Sequence, residues 1–451
     1  IVGSSAAKSP SSVSKASTPA ATSIWDEQLW SDHRGWPQSG AEVNGRLALC
    51  NFPLIPSLIA MSSSRFWTDF ALGARDDDAI VRQAGNRNPR FQHIVNSTDL
   101  IILADRGCYY IKTRDGELVT PSNFQVTQFD ERGASSVAAV PVEGAVLFVE
   151  RNKGTVSACV LSGNVYLNWT VIDLTRFHAH LVNDPVAICG PAADPSMSER
   201  YVMIVNADGT MAVMSWYTTF GEERVGFVPW ETEGRTIARA FPLLDRYHCI
   251  VQNGDSYTLE MFNPDFYLDG ASAISGPVNG GNLQTDAGVE ITTDAGDPIQ
   301  LTDPALPHLA SLTVKAWEDY ETVLTDTLTE DGEFSEIETL TAPQIGVPID
   351  VRAKPWPREV LESPRRGMIK ARVIRASVAV RETISFNFVR NGTTTTTPAR
   401  RPSDDAGSPP PLKTDWYRFN IFGNRAHPEM EIVLPEPNPL EITSITQEVQ
   451  A

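Results

Sequence analysis

Between Trp25 and Phe262 the apolar residues gather in short runs cut by Gly, Asn, Asp and Pro. "DLIILADRGCYYIK" breaks at Asp105-Arg106-Gly107, and "GAVLFVERNKGTVSACVL" breaks at Arg151-Asn152-Lys153-Gly154. "VMIVNADGTMAVMSW" breaks at Asn206-Ala207-Asp208-Gly209, and "YHCIVQNGDSYTLEMF" at Gln252-Asn253-Gly254-Asp255. A weaker fifth copy lies near "NGRLALCNF" at 44–52. Each break supplies Gly where a tight turn needs positive φ, so each predicts a β-hairpin. Runs such as Val202 to Val205 are apolar on both alternating faces, and a lone hairpin cannot bury both, so each must lie between neighbours. Turn centres recur roughly every 45 to 60 residues, the spacing of propeller blades built on a central hairpin. A β-sandwich would show tighter spacing, about 8 to 12 residues per strand.

The pattern changes after "MFNPDFYLDGASAISG" at 261–276. From Gly276 to Asp350 there are 15 acidic residues and one base, Lys315. Strand-like pieces such as "SLTVKAW" and "ETVLTDTL" persist there, which predicts a folded β region with an acidic face rather than a disordered tail. A basic stretch follows at Arg352, Lys354, Arg358, Arg365, Arg366, Lys370, Arg372 and Arg375, partly on the alternating strand "MIKARVIRASVAV". "NGTTTTTPARRPSDDAGSPPPLK" at 391–413 is proline-rich and low in complexity, and reads as a long mobile loop. The expected class is therefore all-β, a β-propeller followed by a second β-rich, sandwich- or barrel-like domain. The divisions are a Ser/Ala/Pro-rich linker over 1–24, the propeller over 25–276 and the acidic domain over 277–451. The chain opens on Ile1, and the linker reads as the start of a piece of a longer product.

A net charge of −19 repels polyanions and argues against tight DNA binding, which draws on Lys and Arg. The five cysteines, at 50, 108, 159, 189 and 249, are widely spaced within apolar runs and read as reduced core thiols, not a disulfide frame or zinc site. "NFPLIPSLIAM" at 51–61 is too short to span a bilayer, so no membrane anchor is expected. The common phosphate-cradling, zincin and nucleophile-elbow signatures are absent. "RDDDAI" places Asp76, Asp77 and Asp78 together, yet neighbours on an extended chain point to opposite faces, so a turn or cap is expected over a metal or carboxylate site. His178 and His180 in "RFHAH" share a face if extended, with no third ligand spaced nearby. No catalytic, cofactor-binding or metal residue is assigned.

In order along the chain, several stretches resemble the tail tubular protein B, or nozzle, family of short-tailed bacteriophages. They are "WDEQLWSDHRGWPQSGAEVNGRLAL" (25–49), "RFWTDFALGARDDDAI" (65–80), "LIILADRGCYYI" (100–111), "LVTPSNFQVTQFDERGASSVAAVPVEGAVLFVERN" (118–152), "NADGTMAVMSWY" and "MFNPDFYLDGASAISG". The resemblance returns in "IGVPIDVRAKPW" (346–356) and "PLEITSITQEV" (439–449). No single motif decides it; the collinearity does. "CNFPLIPSLIAMSSS" departs from the Gly-rich turn expected after Gly45-Arg46-Leu47, and the 391–413 loop reads as an insertion. The resemblance implies a non-enzymatic virion component made in the bacterial cytoplasm. It implies a ring, usually a hexamer, below the portal and adaptor and near tail fibre or spike proteins, through which genomic DNA passes without specific binding.

Cationic walls would hold passing DNA by counterion release, so an anionic lining is expected. The candidate lining acids are Glu318, Asp319, Glu321, Asp326, Glu330, Asp331, Glu333, Glu336 and Glu338. A solvated outer face is the alternative for them. Arg365, Arg366, Lys370, Arg372 and Arg375 are candidate bases for a neighbouring subunit, with in-chain ion pairs as the alternative. Two rival functions remain: a propeller glycosidase or depolymerase, which needs two carboxylates about 5 to 10 Å apart, and a host-receptor-binding tail protein, which needs outward-facing aromatics.

Overall fold

Alternating apolar runs and turn chemistry become antiparallel sheets, each built from consecutive strands. The computed structural model describes residues 29–84, 88–114, 118–162, 168–192, 200–219, 222–273, 306–334, 343–355, 372–405, 407–421 and 429–450. The expected linker over 1–24 lies outside them. The chain is all-β. Helical structure among the described residues is confined to short 3-10 turns such as Ala179–Leu181 and Pro307–Leu309.

The chain divides into two compact units, Ile1–Glu231 with Thr236–Val251, and Thr232–Arg235 with Gln252–Ala451. The division falls at Val251 rather than at the acidic change after Gly276. In the first unit, β1 (Ser39–Val43), β2 (Arg46–Cys50), β3 (Leu58–Met61) and β4 (Ile80–Gln83) form one meander. A second comprises β5 (Phe91–Asn96), β6 (Leu100–Ala104), β7 (Gly107–Ile111) and β8 (Thr127–Asp130). The third is β9 (Val140–Val142), β10 (Ala145–Val149), β11 (Val156–Leu161) and β12 (Trp169–Asp173). The fourth is β13 (Pro185–Cys189), β14 (Tyr201–Asn206), β15 (Met211–Thr219) and β16 (Glu222–Trp230). Strands β17 (Thr236–Leu243) and β18 (Arg246–Asn253) follow, with the division falling inside β18, and β19 (Ser256–Met261) lies in the second unit.

Four-stranded meanders in series are the units from which propeller blades are made. Their period-two side chains explain the stacking. On β6, Leu100, Ile102 and Ala104 enter a core shared with Cys50, Ile59 and Met61 of the first sheet. The intervening Ile101 and Leu103 enter a core shared with Val146, Phe148 and Trp169 of the third sheet. Leu147 and Val149, between those β10 residues, meet Val202, Ile204 and Met214 of the fourth. Trp30, Phe52 and Phe70 cover the far face of the first sheet. First strands neighbour one another: β5 touches β1 and β9, and β13 touches β17.

The turns follow the sequence with one correction. Gly107, Gly209 and Gly254 have positive φ, as expected, but in the third sheet's turn Lys153 takes it, at 56°, instead of Gly154. Asn152 explains the shift: its Oδ1 accepts the Gly154 amide at 3.0 Å, while Lys153 Nζ pairs with Asp184 at 2.7 Å. At Gly209 no other residue fits, since a Cβ would lie 2.5 Å from Thr236 and φ is 86°.

In the second unit, β20 (Asp269–Ala273), β21 (Thr313–Glu318), β22 (Glu321–Thr327) and β23 (Gln344–Val347) form a sheet in the order β20-β23-β21-β22. The remaining strands are β24 (Val351–Ala353), β25 (Arg372–Thr383), β26 (Asn387–Arg390), β27 (Thr393–Thr396), β28 (Lys413–Asn420), β29 (Met430–Leu434) and β30 (Glu441–Gln450). They make sheets β24-β29-β26-β27 and β28-β25-β30, which share one core around Phe386, Phe388 and Phe419. Phe388 and Phe419 stack at 4.1 Å.

The reading of 391–413 as a structureless loop is corrected. Thr393–Thr396 pair with β26 as β27, because β-branched threonines suit a strand whatever their low complexity. Thr397 then donates its hydroxyl to the Phe386 carbonyl and accepts the Phe386 amide, and buried Lys413 Nζ donates to the carbonyls of Pro398 and Ala399 at 2.7 and 2.6 Å.

His93 shows how the stack responds to pH. Its Nε2 lies 3.0 Å from the Ser135 carbonyl, and burial holds the imidazole below its ordinary 6.5. The unfolded chain therefore takes up that proton more readily, so stability is full above about pH 6.5 and is lost as pH falls below it. Urea unfolding from about pH 7 down to about pH 5 should show a smaller loss in His93→Gln than in wild type; equal losses would contradict the assignment.

Candidate functional site

The candidate lining acids sit on the β21–β22 hairpin. Asp319 and Tyr320 turn it with φ of 50° and 66°, and Trp317 packs its ring between Tyr267 and Tyr320 at 5.2 and 5.4 Å. Glu318 and Glu321 are register partners beside this tip, with Asp319 exposed at its apex. Asp326 lies one residue before the end of β22, and Glu330, Asp331 and Glu333 are exposed in the turn beyond it. Gly332 fixes that turn: its φ is 80°, and a Cβ would lie 2.5 Å from the Leu306 carbonyl.

Seven residues of β22 therefore separate two acidic groups by roughly 20 Å. The structure does not bring the seven described acids into one patch; Glu336 and Glu338 lie outside the described residues. Lys315, the lone base of this region, is taken by Glu436 at 3.1 Å, and Glu436 also accepts the Thr322 hydroxyl at 2.5 Å.

Among the candidate bases, Arg375 pairs in-chain: its Nη1 lies 2.9 Å from Glu448 across the β25–β30 register, and its Nε 3.4 Å from Asn420. Arg372 begins β25 opposite Gln450, and Arg365, Arg366 and Lys370 lie outside the described residues.

The aspartate run is a capped turn. Asp78 Oδ2 accepts the Arg75 amide at 2.8 Å, and Asp77 pairs with Arg65 at 2.5 Å. Buried Arg46 donates to the carbonyls of Ser62, Asp76 and Asp78. The run thus supplies backbone oxygens to an arginine, and its carboxylates do not converge. His178 leans on the Phe227 ring at 5.0 Å, while His180 stands exposed. No group of three His, Cys, Asp or Glu side chains among the described residues could hold a metal. No helix among them is long and apolar enough to cross a membrane.

A cleft of about 390 Å³ lies in the first unit, where the 3-10 turn at Ala179–Leu181 faces the β14–β15 turn, lined by His180, Asn183, Asp208, Thr210 and Glu231 among others. Hydrogen bonds from the Thr210 hydroxyl at 2.7 Å and amide at 3.0 Å hold the Asp208 carboxyl below its ordinary range. Asp208 thereby caps the β14–β15 turn.

Sequence reasoning missed the buried charges. Asp99, wholly buried, accepts Trp169 Nε1 at 2.8 Å and the amides of Thr113 and Arg114, joining the second sheet to the third. Arg235, with no exposed side-chain area, pairs with Glu260 and, at 2.6 Å, with Asp269. Burial pulls its pKa down, but Asp269 and Glu260 outweigh burial and leave it raised. These partners lie far apart in sequence, and no local pattern marks them.

No protein-family model and no curated protein matches the chain. Among solved structures it aligns with a GH31 alpha-xylosidase from Xanthomonas citri at 9% identity and a TM-score of 0.12, over 89% of this chain. The chain spans 34% of that protein's length. A likeness that weak carries no argument about fold or activity.

Replacing Arg235 by Met would strand Glu260 and Asp269 without their partner. We expect a loss of about 3 kcal/mol in urea unfolding, at the low end for a broken buried pair because both carboxylates keep some solvent contact. A loss under about 1 kcal/mol would show the cluster to be incidental.

Proposed function

We propose that this chain is a structural, non-enzymatic subunit of a short-tailed phage tail nozzle, assembled as a sixfold ring that extends the tail tube and passes DNA. The observation that carries the reading is the collinear series of tail-nozzle-like stretches from residue 25 to 276. The stacked sheets support it: the inner strands β3, β6, β7, β10, β11 and β14 bury side chains on both faces, as a wall element must. Asp208 and the Asp76–Asp78 run are occupied as turn caps, which weighs against the depolymerase reading. The charge of −19 suits a channel that does not grip its cargo.

The split hairpin sharpens the lining proposal. One group faces the lumen, either Glu318, Asp319 and Glu321 at the tip or Asp326, Glu330, Asp331 and Glu333 at the base, with the other group on a different surface.

The receptor-binding reading keeps one supporting observation: Trp36, Phe66 and Trp67 are each more than half exposed. A ring that buries them against a neighbour and a reader that leaves them bare are distinguished by the assembly itself. Native mass spectrometry and electron cryomicroscopy of the full chain should show a closed ring of identical subunits. A monomer at all concentrations, and in the intact particle, would contradict the proposal. Within such a ring, Asp319→Lys and Glu330→Lys should separate the two acid groups. The lumen position should create DNA binding whose log affinity falls with log salt by about 0.9 for each phosphate that the new lysines neutralise, and the other position should not.

A further inference from the structure

Two of the five buried cysteines meet. Cys108 on β7 and Cys159 on β11 belong to different sheets, and both are wholly buried in the core between the second sheet and the third. Both side chains point into that one core layer, close enough for Cys159 to act electrostatically on Cys108. Cys108 Sγ also lies 3.4 Å from the Arg132 carbonyl oxygen, so its thiol is held in place on the second sheet. The register explains the encounter. Cys108 stands opposite Leu103 and Cys159 opposite Val146 and Val171, and all three of those side chains enter the same inter-sheet layer. Cys50 lies instead in the core between the first two sheets, while Cys189 is on β13 and Cys249 on β18.

We propose that Cys108 and Cys159 form an oxidative cross-linking site, a latent disulfide that staples the second sheet to the third. The reaction is a two-electron thiol–disulfide exchange with a small disulfide such as glutathione disulfide. One thiolate attacks a sulfur of that disulfide and expels a glutathione thiolate. The second thiolate then attacks the mixed disulfide, forms the Cys108–Cys159 bond and expels the other. Two protons leave the protein and end on the two glutathione thiols. Only thiolate attacks, and both thiols are closed off from solvent, so the folded stack stays reduced until the two sheets part briefly. The cross-link then closes the intervening chain into a loop and resists further parting of the same two sheets.

The test uses the full chain with glutathione disulfide, held just below the unfolding midpoint so that the core opens and recloses. Free thiols are then alkylated under denaturing conditions and the peptides mapped. The proposal expects loss of two of the five thiols, recovery of one Cys108–Cys159 cross-linked peptide, and a Tm raised until dithiothreitol is added. Cys159→Ser should remove both the cross-link and the Tm shift; if that variant fails to fold, the wild-type map decides alone. Recovery of all five thiols, Cys108 carrying only glutathione, or pairing of either residue with Cys50, Cys189 or Cys249 would overturn it.

Discussion

A strand that is apolar on both faces cannot lie on a surface, and this constraint organises the first unit. Side chains on β10 alternate between two cores, Val146 and Phe148 toward one sheet and Leu147 and Val149 toward the other. Each such side chain, fully buried, contributes roughly 1.5–3 kcal/mol of transfer free energy. A sheet pulled from the stack would forfeit that on both sides at once. The same alternation recurs on β6, and β14 likewise buries Val202 and Ile204 on one face and Met203 and Val205 on the other, so these inner strands need cover on both sides.

Charge is fitted into the stack by local compensation. Asp99 is tolerable in a dry interior because three N–H groups converge on it, one of them from Trp169 in the next sheet. Arg46 is tolerable because three carbonyls receive it, two of them from the aspartate run. These contacts turn polar residues into fasteners between elements and leave few of them for chemistry. The surface keeps the surplus acid.

Most of the strand order was legible because its signals are local. Period-two runs, and Gly or Asn at turns such as Asn44-Gly45 and Asp208-Gly209, fix hairpins within a dozen residues. Turn detail failed where a side chain intervened, as when Asn152 moved the positive φ to Lys153. Thr393–Thr396 were hidden by low complexity, which masks β-propensity without abolishing it. The acidic block looked like one patch because composition ignores geometry; an extended hairpin sends its two ends apart. Nothing local could pair Arg235 with Asp269, or Cys108 with Cys159. Those contacts depend on which faces the stack brings together.

Native-state amide hydrogen exchange tests the stack most directly. If each sheet needs both neighbours, the central strands β6, β10 and β14 should open together, with one shared free energy close to that of global unfolding. Exchange through the opening of a single sheet, while its neighbours on both sides stay fully protected, would contradict the account.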